Sequence, residues 1–326
     1  MSSMRAVVYD QDGLRLEKQV RIPEPAADQA LLRIRQAGIC NTDLELVAGM
    51  YNFSGSLGHE FVADVVAGPA EWLGRRVVGE INVADGTCDM CQQGIPSQCR
   101  DRTTVGIDRH PGAFADYLTL TTANLHAVPD SVSDDAAVFV EPLAAALQVI
   151  EAVHVSPRDR VIVVGAGKLG LLVARVLQLT GADIRVVVRR EKPAQLLANW
   201  GIPAARVDEL ETQRAQVVVD CTGNAGGFAT ALDLVEPRGT LVLKSTYRGL
   251  PQADLTRVVV NEVRVVGSRC GPFEAALRLL EANLVDVTAL IDARYDLSDA
   301  LVAFDRAKQP GMLKVILQHQ ADGSVT

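Results

Sequence analysis

Four consecutive branched residues, Val161-Ile162-Val163-Val164, run directly into Gly165-Ala166-Gly167-Lys168-Leu169-Gly170, and a helical pattern follows from Leu171 to Leu179. No other stretch narrows the folds open to the chain as far. A G-x-G-x-x-G turn between a buried strand and a helix belongs to a βαβ unit. Its glycines let the backbone turn sharply and approach a pyrophosphate, and the helix N-terminus offers free amides. Gly165, Gly167, Lys168, Leu169 and Gly170 are therefore the candidate dinucleotide-binding residues. Further apolar runs at 184–188, 217–219, 241–243 and 263–266 alternate with helical stretches. That alternation predicts an α/β, doubly wound parallel sheet.

The run at 184–188 ends in Arg189-Arg190, with Lys192 beyond, where a NAD site carries an acid for the ribose hydroxyls. The nearby acid, Glu191, comes after both arginines, so nothing at the strand end repels a 2′-phosphate. A guanidinium can pair with that group through two hydrogen bonds. The expectation is NADP(H) over NAD(H), the bland reading being a pair of solvated surface charges.

Before residue 140 the pattern changes to short alternating runs, such as 30–35 and 61–66, separated by Gly and Pro, which predict a β-rich unit. Within it, Cys88 and Cys91 stand at C-x2-C spacing, and Cys99 follows eight residues later. Two such thiols reach one tetrahedral ion from a tight turn and a third closes the cage, so these are candidate ligands of a structural zinc. Asp85, three residues before Cys88, is the candidate fourth, a harder donor than sulfur that makes the site weaker and more pH-sensitive. The alternative is three ordinary buried cysteines.

A second constellation joins Cys40, His59 and Glu141. The segment 136–150 is apolar except for Gln148 and Glu141. A buried, unpaired carboxylate costs several kcal/mol at least, so Glu141 needs a cation or a proton. Zinc held by Cys40 and His59 would be that cation, and three protein ligands with one open position suit a catalytic zinc.

Length and charge agree with a small-molecule enzyme. The 326 residues suffice for two domains, and 48 % hydrophobic residues can fill two cores. A net charge of −8 argues against nucleic acid or an anionic membrane as the main partner. No signal-peptide pattern opens the chain and no run reaches about 18 apolar residues, so a cytoplasmic protein is expected. Of the six cysteines, Cys221 and Cys270 are left over and read as small buried hydrophobes.

Taken in order, Met4-Arg5-Ala6-Val7-Val8-Tyr9, Cys40-Asn41-Thr42-Asp43, Gly58-His59-Glu60, the thiol lobe, Gly112-Ala113-Phe114-Ala115-Asp116-Tyr117, Val140-Glu141-Pro142-Leu143, the glycine turn, Asp220-Cys221-Thr222-Gly223 and Gly239-Thr240-Leu241-Val242 resemble the zinc-dependent medium-chain alcohol and polyol dehydrogenase family nearly end to end. Glu141-Pro142-Leu143 and Glu45 are closest to its sugar, polyol and threonine dehydrogenase branches.

That resemblance implies a GroES-like β-rich catalytic domain, residues 1–142 and 271–326, and a Rossmann domain inserted at 143–270, with the active site in the cleft between them. It implies hydride transfer between NADP(H) and a secondary alcohol, polyol or sugar hydroxyl, or the matching carbonyl. Thr42 would relay the proton and Glu45 carry it onward. Glu60 would be a direct ligand, an exchanging ligand or a partner of His59 or the zinc, Asp43 would orient a ligand or cap a turn, and Thr222 would line the cofactor site. Asp85 departs from the family pattern by replacing a lobe cysteine, and Asn41 departs after Cys40. The resemblance also implies a homodimer or homotetramer joined through the edge strand at 263–266. Two other readings compete: a metal-free NADPH-dependent enone or quinone reductase of the same fold, and a non-catalytic NADP(H) sensor.

Overall fold

The computed structural model describes residues 3–50, 53–210, 213–246 and 253–319. The chain divides into two units, Met1–Glu141 with Ala276–Thr326, and Pro142–Ala275. The expected breaks at 142/143 and 270/271 thus fall at 141/142 and 275/276. Among the described residues no helix is long and apolar enough to cross a membrane.

The first unit is built on the strand Gln29–Ile39, whose first half alternates as expected, with Ala30, Leu32 and Ile34 buried and Arg33 and Arg35 exposed. A register irregularity against the strand Glu60–Ala67 falls between Ile34 and Gln36. Beyond it burial becomes continuous at Ala37, Gly38 and Ile39, because the extra residue breaks the two-residue period and turns the strand end inward. Glu60–Ala67 lies on one flank, and on the other lies Lys314–Gln318, returned from the far end of the chain. Gly38 therefore stands beside both Glu60 and Ile316, and Ile39 beside Val315.

Phe114 and Phe304, both fully buried, pack edge to face with ring centroids 5.8 Å apart. Gly58 closes against this pair. Its φ is +96°, and a Cβ there would sit 2.4 Å from the Phe114 ring, so only glycine makes the turn that delivers His59.

The second unit is a six-stranded parallel sheet in the order Ala204–Ala205, Asp183–Val187, Arg160–Val164, Ala215–Asp220, Val235–Leu243, Arg264–Gly267. Five of these correspond to apolar runs in the sequence. The two-residue strand Ala204–Ala205 carries no such run and forms only because Asp183–Val187 offers it an edge. Val161, Ile162 and Val163 are fully buried in the middle of the sheet. The connecting helices include Lys168–Gln178, Glu191–Asn199 and Ala225–Leu234. The strand order reverses beside Arg160–Val164, which opens a crevice at the carboxyl ends of the strands.

Candidate metal centre and dinucleotide turn

One buried carboxylate assembles the first centre. Asp43 lies in the first turn of the helix Asn41–Val47 and is fully buried. Its Oδ2 accepts the Cys40 N–H at 2.8 Å, and its Oδ1 accepts the Gly58 N–H at 3.3 Å and faces His59 Nδ1 at 3.3 Å. Capping and orienting are thus one act: the group that starts the helix also docks the Gly58-His59 turn onto it. The His59 contact is electrostatic, since Nδ1 is buried and its alignment makes no hydrogen bond. Burial alone would lower the His59 pKa, but the Asp43 carboxylate and then Cys40 outweigh it and raise it well above the ordinary value.

The ligand atoms of Cys40, His59 and Glu60 all lie within 4.8 Å of one another. Zinc bonds of about 2.0–2.3 Å place tetrahedral ligands roughly 3.3–3.8 Å apart, so small side-chain shifts close this set around an ion. A thiol, an imidazole and a carboxylate are suitable zinc donors, and the Asp43 carboxylate beside His59 Nδ1 is the partner a metal-bound imidazole takes on its other nitrogen. The residues fit the metal.

Glu141, expected among the ligands, stands outside this compact set, in the first turn of the helix Val140–Ala152. Beside the set stands a residue that sequence reasoning passed over. Lys314, 1 % exposed, pairs its Nζ with Glu60 Oε2 and lies over the Phe139 ring, 5.4 Å from its centroid. Burial works against its ammonium, but Glu60 foremost, with Cys40 and Glu141, raises the Lys314 pKa above the usual lysine value. Glu141, expected to be buried, is half-buried at the start of its helix, so its charge does not depend on a metal for compensation. The available signal was a lysine opening the apolar run Lys314-Val315-Ile316-Leu317. Thr42 Oγ1 lies 3.8 Å from Cys40 Sγ, and Glu45 is half-buried further along the same helix.

In the thiol lobe the ligand atoms of Asp85, Cys88, Cys91 and Cys99 also lie within 4.8 Å of one another. Asp85 Oδ1 accepts the N–H groups of Thr87 at 2.6 Å and Cys88 at 2.9 Å, and these two amides hold its carboxyl at about 2. It is thus an anion at neutral pH, with its other oxygen left to ligate. The Cys88 and Cys91 sulfurs are 3.5 Å apart, and backbone N–H groups of Asp85 and Arg100 point at Cys99 and Cys88. Partial burial and the neighbouring Cys88 and Cys99 sulfurs push the Cys91 thiol up to about 12, the crowding a bound dication relieves.

The glycine turn divides its labour. Gly165 takes φ +105°, and a Cβ on Gly170 would sit 1.9 Å from the Gly165 carbonyl oxygen, so the protein itself requires both glycines. At Gly167 a Cβ would meet nothing within 4 Å. That glycine leaves open space ahead of the helix Lys168–Gln178, a cradle of the kind a pyrophosphate fills. Arg189 and Arg190 are exposed past the strand Asp183–Val187. The Val188 N–H donates to the Ala205 carbonyl at 2.9 Å, which brings Arg206 to the neighbouring strand end, its guanidinium 3.7 Å from Asp208. Thr222 is folded back on the strand end, its Oγ1 donating to Asp220 Oδ1 at 2.8 Å.

Residues 26–130 match the family described as alcohol dehydrogenase GroES-like domain, and residues 134–319 match the glucose dehydrogenase C-terminus. The chain is 28 % identical to a sorbitol dehydrogenase of Halalkalibacterium halodurans over 325 residues, 90 % of this chain and 93 % of that protein. It is 27 % identical to an L-galactonate-5-dehydrogenase of Escherichia coli over 94 % of this chain and 96 % of that protein. Among solved structures, a zinc-binding dehydrogenase from Sinorhizobium meliloti bound to NADP superposes with a TM-score of 0.90 at 25 % identity, covering 98 % of this chain and all of that one.

Proposed function

This chain belongs to the zinc-type medium-chain alcohol and polyol dehydrogenase family, with a GroES-like domain and a Rossmann-like parallel sheet, and from that premise we propose that it transfers a hydride reversibly between NADP(H) and a secondary alcohol, polyol or sugar hydroxyl. The observation that carries the reading is the convergence of Cys40, His59 and Glu60. Zinc bound there supplies a Lewis acid that lowers the pKa of an alcohol hydroxyl toward neutrality.

The protein's own groups do the rest. Cys40, His59 and a carboxylate, Glu60 or Glu141, hold the ion, and Lys314 neutralises the carboxylate that is not bound. Asp43 keeps His59 in orientation. Thr42, next to the Cys40 thiol, receives the hydroxyl proton and passes it toward Glu45. Gly165 to Gly170 hold the cofactor pyrophosphate, Thr222 lines the same crevice, and Arg189 and Arg190 pair with a 2′-phosphate and so select NADP. Asp85, Cys88, Cys91 and Cys99 hold a second, structural zinc. Sorbitol and galactonate dehydrogenase relatives support a polyhydroxylated substrate.

Zinc per chain, measured on wild type, Cys40→Ser, Glu60→Gln and Glu141→Gln, tests this. Wild type is expected to hold two zincs, Cys40→Ser to lose one while keeping its fold, and one of the two glutamine variants to share that loss and so identify the ligand. A folded wild type whose zinc content Cys40→Ser does not change refutes the catalytic site.

A further inference from the structure

The carboxyl edge of the parallel sheet carries a buried cation that nothing above uses. If the strand end at Arg189 holds the adenosine half of the cofactor and the turn at Gly165 holds the pyrophosphate, the other half must cross the switch point, over the ends of Ala215–Asp220, Val235–Leu243 and Arg264–Gly267. Lys244 is the first residue past Val235–Leu243 and is only 8 % exposed. Its backbone N–H donates to the Asp220 carbonyl at 3.0 Å, which pins it to the neighbouring strand end. Its Nζ donates to Ser268 Oγ at 3.3 Å. Ser268 is the first residue past Arg264–Gly267, is 9 % exposed, and is held by its own N–H on the Leu243 carbonyl at 3.0 Å.

Lysine and serine therefore meet across two adjacent strand ends, fixed by the sheet. Burying an ammonium at the end of apolar strands is costly, and here the sheet itself holds it in place. Asp220, 1 % exposed, is the nearest acid on the adjoining strand, and its Oδ1 is engaged by the N–H of Thr222 at 2.9 Å and by the Thr222 hydroxyl. The field of Lys244 reaches across this edge. Burial pushes the Cys221 thiol up to about 12, and Lys244 pulls against that shift.

We propose that Lys244, positioned by Ser268, lies in the nicotinamide half of the cofactor site, where its charge disfavours the cationic oxidised ring and favours the neutral reduced one. This rests on the dinucleotide reading above. A positive charge near a bound pyridinium would oppose its binding, whereas the dihydropyridine carries no such charge. The ADP-ribose portion, bound at the glycine turn, is indifferent to Lys244. The residue thereby tunes which redox form of the cofactor the protein retains.

The test is equilibrium titration of wild type, Lys244→Met and Lys244→Arg with three probes: the oxidised and reduced forms of whichever dinucleotide, NADP or NAD, wild type binds more tightly, and the matching ADP-ribose fragment. Lys244→Met keeps the length of the side chain and removes its charge. It is expected to shift the ratio of oxidised to reduced affinity by about fivefold or more toward the oxidised form, to leave the fragment's affinity unchanged, and to be rescued by Lys244→Arg. An unchanged ratio, or equal weakening of all three probes, overturns the proposal while leaving the dinucleotide reading intact. A wild type that binds none of them overturns that reading and the proposal with it. Lys244→Gln carries the same test if Lys244→Met shows no cooperative melting transition.

Discussion

At the scale of single residues, buried acids do most of the organising. Asp43 serves three partners at once, which a turn-capping reading of the sequence could not reveal, because its contacts with Gly58 and His59 span about fifteen residues. Asp116, half-buried, likewise gathers several partners in the first unit. It accepts from Arg5 through backbone N–H at 2.7 Å and guanidinium at 2.9 Å, and His319 Nδ1 lies 3.4 Å away. Burial would raise its pKa, yet hydrogen bonds from His319 and Arg5 win and hold it well below the usual carboxylate value of 3.8. A depressed carboxyl stabilises the fold fully above its unfolded pKa, and that contribution is lost as pH falls through the depressed folded value. Asp116→Asn should therefore cost about 1–2 kcal/mol at pH 7. The gap to wild type should narrow below about pH 4 as the wild-type acid protonates. Thermal melts of both proteins from neutral to acid pH measure this, and a gap independent of pH would show that the ionised carboxylate is not the stabilising group.

At the scale of elements, irregularities place the chemistry. The break in register between Ile34 and Gln36 turns the end of its strand inward, and Gly58 bends into a conformation that other residues adopt only with strain. Cys40 and His59 follow directly from these two features. The opposite situation holds at the edge strand Arg264–Gly267, which ends the parallel sheet in the second unit with one side of its backbone unpaired within that sheet. The helix just before it, Leu255–Val260, leaves Val259 75 % and Val260 73 % exposed. An open edge beside bare valines is a surface that soluble proteins commonly cover, and a second copy of the chain is the expected cover. Light scattering should give wild type a mass that is a multiple of 34.9 kDa. Val259→Lys with Val260→Lys should reduce that mass toward one chain. A monomeric wild type would refute assembly through this edge.

At the scale of the whole molecule, the chain leaves the first unit at residue 141, builds the second, and returns its last strand to the first sheet. On the proposed reading, cofactor choice rests on Arg189 and Arg190 of the second unit. Replacing Arg189 by Asp and Arg190 by Ala should lower NADPH affinity about tenfold or more relative to NADH, since bidentate pairing is lost and a repelling carboxylate gained. Comparative titration with both cofactors checks it, and an unchanged ratio would remove these arginines from the site. Local pattern was enough to read the parallel sheet, the glycine turn and the spacing of the thiol lobe, because each depends on residues close in sequence or on a periodicity that a strand or helix must obey. Lys314 beside Glu60 and Lys244 beside Ser268 were decided only in three dimensions. Each pairing is set by strand register, and register is a property of the folded sheet that brings together residues up to 254 positions apart.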